Sequence, residues 1–145
     1  MKTVVMVLLF GLVSMAAFAQ TDKPLKQGMP NTVALSNGEV IYDLNGEWAA
    51  SIEQYGPWAQ YGVFPDILDI KQEGASFVVF TLIGTPNSPK GSKKLKGELE
   101  KNGFKKVQAL TGAGLIDLKG KILNDGDKII LDDGEKLRLT LIRRK

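Results

Sequence analysis

Apolar and polar residues alternate along most of the chain after residue 38. In one run Leu95, Gly97 and Leu99 share a face, while charged residues stand between and around them. A period of two is typical of a β-strand with one buried and one solvent-facing side. Runs that read as strands are 39–44, 46–54, 66–72, 76–84, 93–101, 104–110, 115–123, 128–131 and 135–143.

The connections between these runs predict hairpins. Glycine follows an acidic residue or asparagine in the pairs 73–74, 102–103, 125–126 and 133–134. Such pairs suit turns that need a positive φ. No sustained apolar stripe with helical periodicity separates the runs, so crossover helices and a parallel sheet are not expected. The sequence therefore predicts an all-β fold, an antiparallel up-and-down meander.

A meander of this length must protect its edge strands. Closure into a small barrel of about eight strands removes the edges, with the run 39–44 serving as a lead-in to the next. A two-sheet β-sandwich is the alternative, because it has much the same pattern along the sequence. Consecutive hairpins favour the barrel, since each strand then pairs with its neighbour in the chain.

The first nineteen residues have the pattern of a signal peptide. A basic start at Lys2 precedes a largely apolar stretch over 4–13, and small residues stand at Ala17 and Ala19. The apolar stretch is shorter than a transmembrane helix needs, and no second long one follows. We therefore expect cleavage after Ala19 and a periplasmic or secreted protein without a transmembrane segment.

The remaining chain divides into two parts. Proline and glycine interrupt the segment 20–37 at Pro24, Gly28 and Pro30, which predicts a flexible leader. Residues 38–145 carry the strand pattern and are expected to form a single β-barrel domain.

The first long strand-like run opens with Gly46-Glu47-Trp48. This Gly-x-Trp is similar to the opening motif of lipocalins and related calycin barrels. The resemblance implies that Trp48 packs across the closed end of the barrel. It also implies that a basic residue late in the chain, Arg143 or Arg144, stacks on the indole. The resemblance covers 38–145 at the level of the fold, and a fold alone implies no function.

Composition narrows the chemistry of any site on this fold. The 145 residues include no cysteine and no histidine, and the formal net charge is +3. Disulfide staples, Cys/His metal centres, cysteine nucleophiles and Ser-His-Asp relays are therefore excluded. The acidic turns at 124–127 and 132–135 lack the ligand spacing of a calcium-binding loop. We expect no metal and no cofactor.

Aromatic residues are concentrated in one long connection, 53–65, which glycine and proline interrupt. A loop of about a dozen residues usually has a role. Aromatic side chains there suit contact with a ligand at the barrel mouth, although they suit completion of the core as well. The predicted ligand contacts are Tyr55, Trp58, Tyr61 and Phe64.

The run 77–83 is apolar on both faces, so its outer face needs cover. We predict a homodimer interface at Phe77, Val79 and Phe80, with cover by the protein's own loops as the alternative. Lysines are frequent between residues 90 and 106, and those at 94 and 96 are expected to face solvent. This pattern is typical of exposed strands, and no nucleic-acid partner is expected.

These features predict an exported, non-catalytic binding protein. Its ligand would be an apolar or amphipathic small molecule, lipophilic or sugar-like, at the mouth of a small β-barrel. One alternative is an interaction or structural module of the cell envelope with a filled barrel. Another is an enzyme that uses Glu, Asp and Tyr side chains for acid–base chemistry, and the carboxylates near the aromatic connection are Glu47, Glu53, Asp66 and Asp69. An open cavity of ligand size favours the first function, and a packed interior argues against it.

Overall fold

The computed structural model describes residues 24–85 and 88–145. The predicted signal peptide, 1–19, and the first residues of the predicted leader lie outside the described residues. The strands are β1 (Thr32–Ala34), β2 (Val40–Tyr42), β3 (Gly46–Gln54), β4 (Val63–Glu73), β5 (Ser76–Thr81), β6 (Lys93–Glu100), β7 (Gly103–Thr111), β8 (Gly114–Leu123), β9 (Lys128–Asp132) and β10 (Leu137–Arg143). Short 3₁₀ helices span Gly56–Tyr61 and Asn124–Gly126. In the part of the chain described, no helix has the length and apolar character needed to cross a membrane.

Strands β3 to β10 close into one antiparallel barrel. Each strand pairs with the next along the chain, and β10 returns to pair with β3, where Leu139 lies opposite Ile52. Closure leaves this sheet without a free edge. The predicted meander barrel of eight strands is confirmed, and the β-sandwich alternative is excluded.

The alternation in the sequence sets the two faces of each strand. In β10, Leu137, Leu139 and Leu141 are at most 7% exposed, whereas Arg138 and Ile142 face solvent. The other barrel strands repeat this pattern, so their inward residues form one continuous core. Burial of this apolar surface is the main stabilising term in a chain without disulfides.

One half of the barrel interior is filled. The rings of Phe77 and Phe104 lie 5.7 Å apart between centroids. They fit because Gly97 has no side chain: a Cβ there would lie 2.7 Å from Phe77 Cζ and would overlap the carbonyl oxygen of Lys106. A gap beside these rings has a volume of about 10 Å³, room for at most about one water molecule.

Strands β1 and β2 form a separate hairpin that packs against this filled end. Ile41 and Leu44 are fully buried there. Asn31 Nδ2 donates hydrogen bonds to the carbonyl oxygen of Asp125, at 2.8 Å, and to Asp127 Oδ1, at 3.2 Å. The hairpin therefore crosses the predicted boundary at residue 38, and the last part of the predicted leader is paired. The run 39–44 lies outside the barrel, as the predicted count of eight strands requires.

Candidate binding cavity at the open end of the barrel

Trp48 closes one end of the barrel. It is fully buried, and its Nε1–H donates to the carbonyl oxygen of Leu44 at 2.9 Å. The guanidinium carbon of Arg143 lies 4.4 Å from the centre of the indole. Arg143 Nη2 also donates to the carbonyl oxygens of Asp43, at 2.8 Å, and Gly126, at 2.9 Å. One side chain thus joins the last strand to two segments that cover this end.

The two arginines proposed for this position have different surroundings. The Arg143 side chain is 13% exposed and lies over Trp48. Arg144 instead forms an ion pair with Glu47 at 2.9 Å, with both side chains about half exposed. Because Trp48 and Arg143 seal this end, a ligand would have to enter from the other.

The opposite end of the barrel is open and holds a cavity of about 970 Å³. The connections that follow β3, β5, β7 and β9 lie at this end. Its volume is at the upper end of the range for small-molecule sites, roughly 300–1,000 Å³. Inner-wall residues that are almost fully buried are Ile52, Leu95, Ala109, Leu137 and Leu139.

Three of the four aromatic residues predicted as ligand contacts line this cavity. Phe64 is a half-buried residue of β4, Trp58 lies in the first 3₁₀ helix, and Tyr61, at the end of that helix, is 62% exposed. The structure therefore brings together three aromatic side chains at the mouth of a chamber whose buried inner wall is aliphatic.

The fourth, Tyr55, is not among the cavity-lining residues. Its hydroxyl donates to Asp132 Oδ1 at 2.7 Å, and its ring lies 6.0 Å from the guanidinium carbon of Arg138. The hydrogen bond to Asp132 raises the pKa of Tyr55 to about 12. Tyr55 thus anchors the loop to the neighbouring hairpin and does not face the cavity.

The aromatic connection 53–65 is held in place by the turn between β9 and β10. Gly56 has a φ of 53°, and a Cβ there would lie 2.6 Å from the carbonyl oxygen of Glu135. Lys136 Nζ lies 5.5 Å from the centre of the Trp58 ring. The turn itself is ordered by Asp133, whose Oδ1 accepts three backbone N–H groups, of Glu135, Lys136 and Leu137. Burial alone would raise the pKa of Asp133, but these donors hold it at about 2.

Exposed apolar side chains surround the mouth. Six large hydrophobic residues of the described chain are well exposed, and four of them lie at this end: Tyr61, Val63, Ile83 and Leu115. Their positions at strand ends and in connections give the cavity an apolar rim.

Lys94 is a cavity residue that the sequence pattern misplaced. Simple alternation predicts that it faces solvent, yet it is half-buried and lines the cavity. The cause is a β-bulge: Val79 pairs with Leu95 and Phe80 pairs with Lys93, so Lys94 is the extra residue on β6. A bulge bends the strand and redirects the side chain. Nothing in the local sequence marks it.

A buried acidic residue lies beside Phe64 on the inward face of β4. Asp66 is 3% exposed, and its carboxylate accepts the hydroxyl of Thr81 at 2.8 and 2.9 Å. The backbone N–H of Ile67 also donates to it at 2.8 Å. These donors compensate the carboxylate for its loss of water.

No protein-family model, curated protein or solved structure matches this chain.

Two of the three residues predicted for a homodimer interface are core residues. Phe77 and Val79 are 3% and 1% exposed and point into the barrel, because β5 alternates like its neighbours. Of the three, only Phe80 faces outward, and it is half-buried. Burial of Phe77 and Val79 in the core explains why the inner face of this strand is apolar.

The four acidic residues considered for acid–base chemistry do not meet in the cavity. Glu47 and Glu53 lie on the exposed face of β3, and Asp69 pairs with Lys71 at 3.2 Å. Only Asp66 points inward. The cavity wall supplies apolar contact, aromatic faces and ammonium groups, which are means of holding a ligand.

Proposed function

We propose that this protein binds an apolar or amphipathic small molecule in the open end of its barrel. The observation that carries this proposal is the cavity of about 970 Å³, which has buried aliphatic walls and an aromatic mouth. Such a chamber would hold a lipophilic molecule by burial of apolar surface, which contributes roughly 25 cal/mol per Å² removed from water. The filled half of the barrel would form the floor beneath the ligand.

The apolar rim supports the same function. Tyr61, Val63, Ile83 and Leu115 place apolar surface around the entrance, where a ligand of low solubility would make its first contact. Aromatic rings at the mouth also suit stacking on a sugar. The aliphatic inner wall, with Ile52, Leu137 and Leu139, favours a lipophilic body.

Lipocalin-like architecture belongs to this proposal as well. An eight-stranded meander, a Gly-x-Trp at its start and Arg143 stacked on Trp48 are the features that support it. Export through cleavage after Ala19 is likewise proposed, on the basis of residues 1–19. Mass measurement of the protein recovered from the exporting cell would test it: loss of the first nineteen residues is expected, and an intact N-terminus would contradict export by this route.

Binding can be tested with the neutral fluorophore N-phenyl-naphthylamine, which brightens in apolar surroundings. We expect saturable enhancement with the wild-type protein. Ala109→Phe should abolish it, because Ala109 is a buried wall residue and a ring there would occupy the chamber. Ala49→Phe is the matched control, since Ala49 lies on the exposed face of β3.

Circular dichroism and thermal unfolding establish that each variant is folded. Absence of saturable binding by the folded wild type would refute the proposal and favour a structural module of the cell envelope. Equal binding by folded Ala109→Phe and Ala49→Phe variants would also refute it, because the probe would then lie outside the cavity.

A further inference from the structure

The charged residues that line the cavity have one sign. Lys93 and Lys94 line it, and none of the described lining residues is aspartate or glutamate. Most of the remaining wall is apolar or aromatic. A chamber of this kind discriminates among apolar ligands by their charge, because an anion meets ammonium groups and a cation meets none of opposite sign.

Lys94 is directed into the cavity by the backbone. The bulge on β6 leaves it opposite no residue of β5, so it does not follow the alternation that keeps Lys96 on the outer face. Its Nζ lies 5.7 Å from the centre of the Phe64 ring, on the neighbouring wall. The position is therefore set by strand geometry and by packing on an aromatic face.

The ammonium group of Lys94 has no anionic partner in contact. Within the described chain no carboxylate oxygen lies within 4.0 Å of it. Burial lowers the pKa of Lys94, and the charge of Asp66 opposes this shift. Asp66 itself is 3% exposed, is bonded to Thr81 and does not line the cavity. The ammonium group of Lys94 is thus available to a ligand in the cavity, and the negative charge of Asp66 favours its protonated form.

We propose that the ligand is an anionic amphiphile whose acidic head group binds Lys94 while its apolar body lies in the chamber. This inference rests on the proposed function. Lys94 is the specificity-determining residue, and the Phe64 ring lies beside its ammonium group. A carboxylate, sulfonate or sulfate head group would accept hydrogen bonds from the ammonium group of Lys94, and hydrogen bonds between charged groups are about twice as strong as neutral ones.

Two dyes that share one ring skeleton test this inference. Anilinonaphthalene sulfonate carries an anionic group, and N-phenyl-naphthylamine is the same skeleton without it. We expect the wild type to bind the sulfonate at least about tenfold more tightly, as a charge-assisted contact in a partly buried site should give. Lys94→Met should remove most of this preference, because Lys93 is then the only ammonium group left among the described lining residues.

Two further variants make the result specific. Lys94→Arg keeps the charge and should retain a preference for the sulfonate. Lys96→Met removes a lysine from the outer face of the same strand and should leave both affinities unchanged. Thermal unfolding establishes that all three variants are folded.

The outcomes separate the two proposals. If the wild type binds both dyes equally, or if folded Lys94→Met keeps the preference, the charge assignment is wrong and small-molecule binding stands. If Lys96→Met loses the preference as Lys94→Met does, a general surface charge effect replaces the assignment. If neither dye binds, the proposed function itself fails.

Discussion

Arg143→Met removes the guanidinium that seals the closed end but keeps an apolar stem of similar length. The change deletes hydrogen bonds of 2.8 and 2.9 Å to the carbonyl oxygens of Asp43 and Gly126, and the stacking on Trp48. Each hydrogen bond from a charged donor contributes about 1.5 kcal/mol at the low end, and the cation–π contact adds about 0.5–1 kcal/mol. We expect a loss of about 3.5–4 kcal/mol in the free energy of unfolding.

Urea unfolding followed by tryptophan fluorescence measures this loss. A thermal scan should show a midpoint lower by roughly 10 °C or more. Arg144→Met is the matched control: its ion pair with Glu47 is about half exposed, and we expect a loss of at most about 0.5 kcal/mol. Equal losses for the two variants, or a loss below about 1 kcal/mol for Arg143→Met, would refute the stabilising role of Arg143 at the closed end.

Three further changes test other parts of the structure. Thr81→Val should cost about 1.5–3 kcal/mol of unfolding free energy, because it deprives the buried Asp66 of a hydrogen-bond donor. The same substitution should cost less in an Asp66→Asn background. Equal costs in the two backgrounds would contradict the Thr81–Asp66 hydrogen bond. Gly97→Ala should cost about 1–3 kcal/mol by overpacking, and unchanged urea unfolding would refute this. In an ultraviolet titration, Tyr55 should ionise with a pKa of about 12 and return towards 10 in Asp132→Asn. The hydrogen bond to Asp132 that raises this pKa contributes its full stability below pH 10, and the contribution is lost as the pH rises through 12. Superimposable titration curves for the wild type and Asp132→Asn would contradict the role of Asp132.

The barrel was largely predictable from the sequence because its strands are amphipathic. The predicted run 46–54 coincides with β3, and the other barrel strands differ from their predicted bounds by a few residues. Period-two alternation depends only on burial of one face, so it appears wherever a sheet has a wet and a dry side. Glycine between the runs indicated hairpin turns, and hairpins connect each strand to the next one along the chain.

The cavity was less predictable because it depends on departures from that pattern. Trp58, Tyr61 and Phe64 were located by composition alone. Lys94 was placed on the wrong face because a bulge shifts the register by one residue without a local signal. Phe77 was also expected on the outer face: its run is apolar on both faces, and the sequence did not indicate which residues the barrel would bury.

The central claim is that a small molecule occupies the open end of the barrel. The two tryptophans of the chain lie at opposite ends of the barrel: Trp58 is at the mouth, and Trp48 is at the closed end. A ¹H–¹⁵N correlation spectrum, titrated with N-phenyl-naphthylamine, reports on both indole N–H groups at once. We predict that the Trp58 signal shifts in a saturable manner while the Trp48 signal stays in place. A Trp58 signal that does not move at saturating dye, or a shift at Trp48 as large as that at Trp58, would contradict the claim.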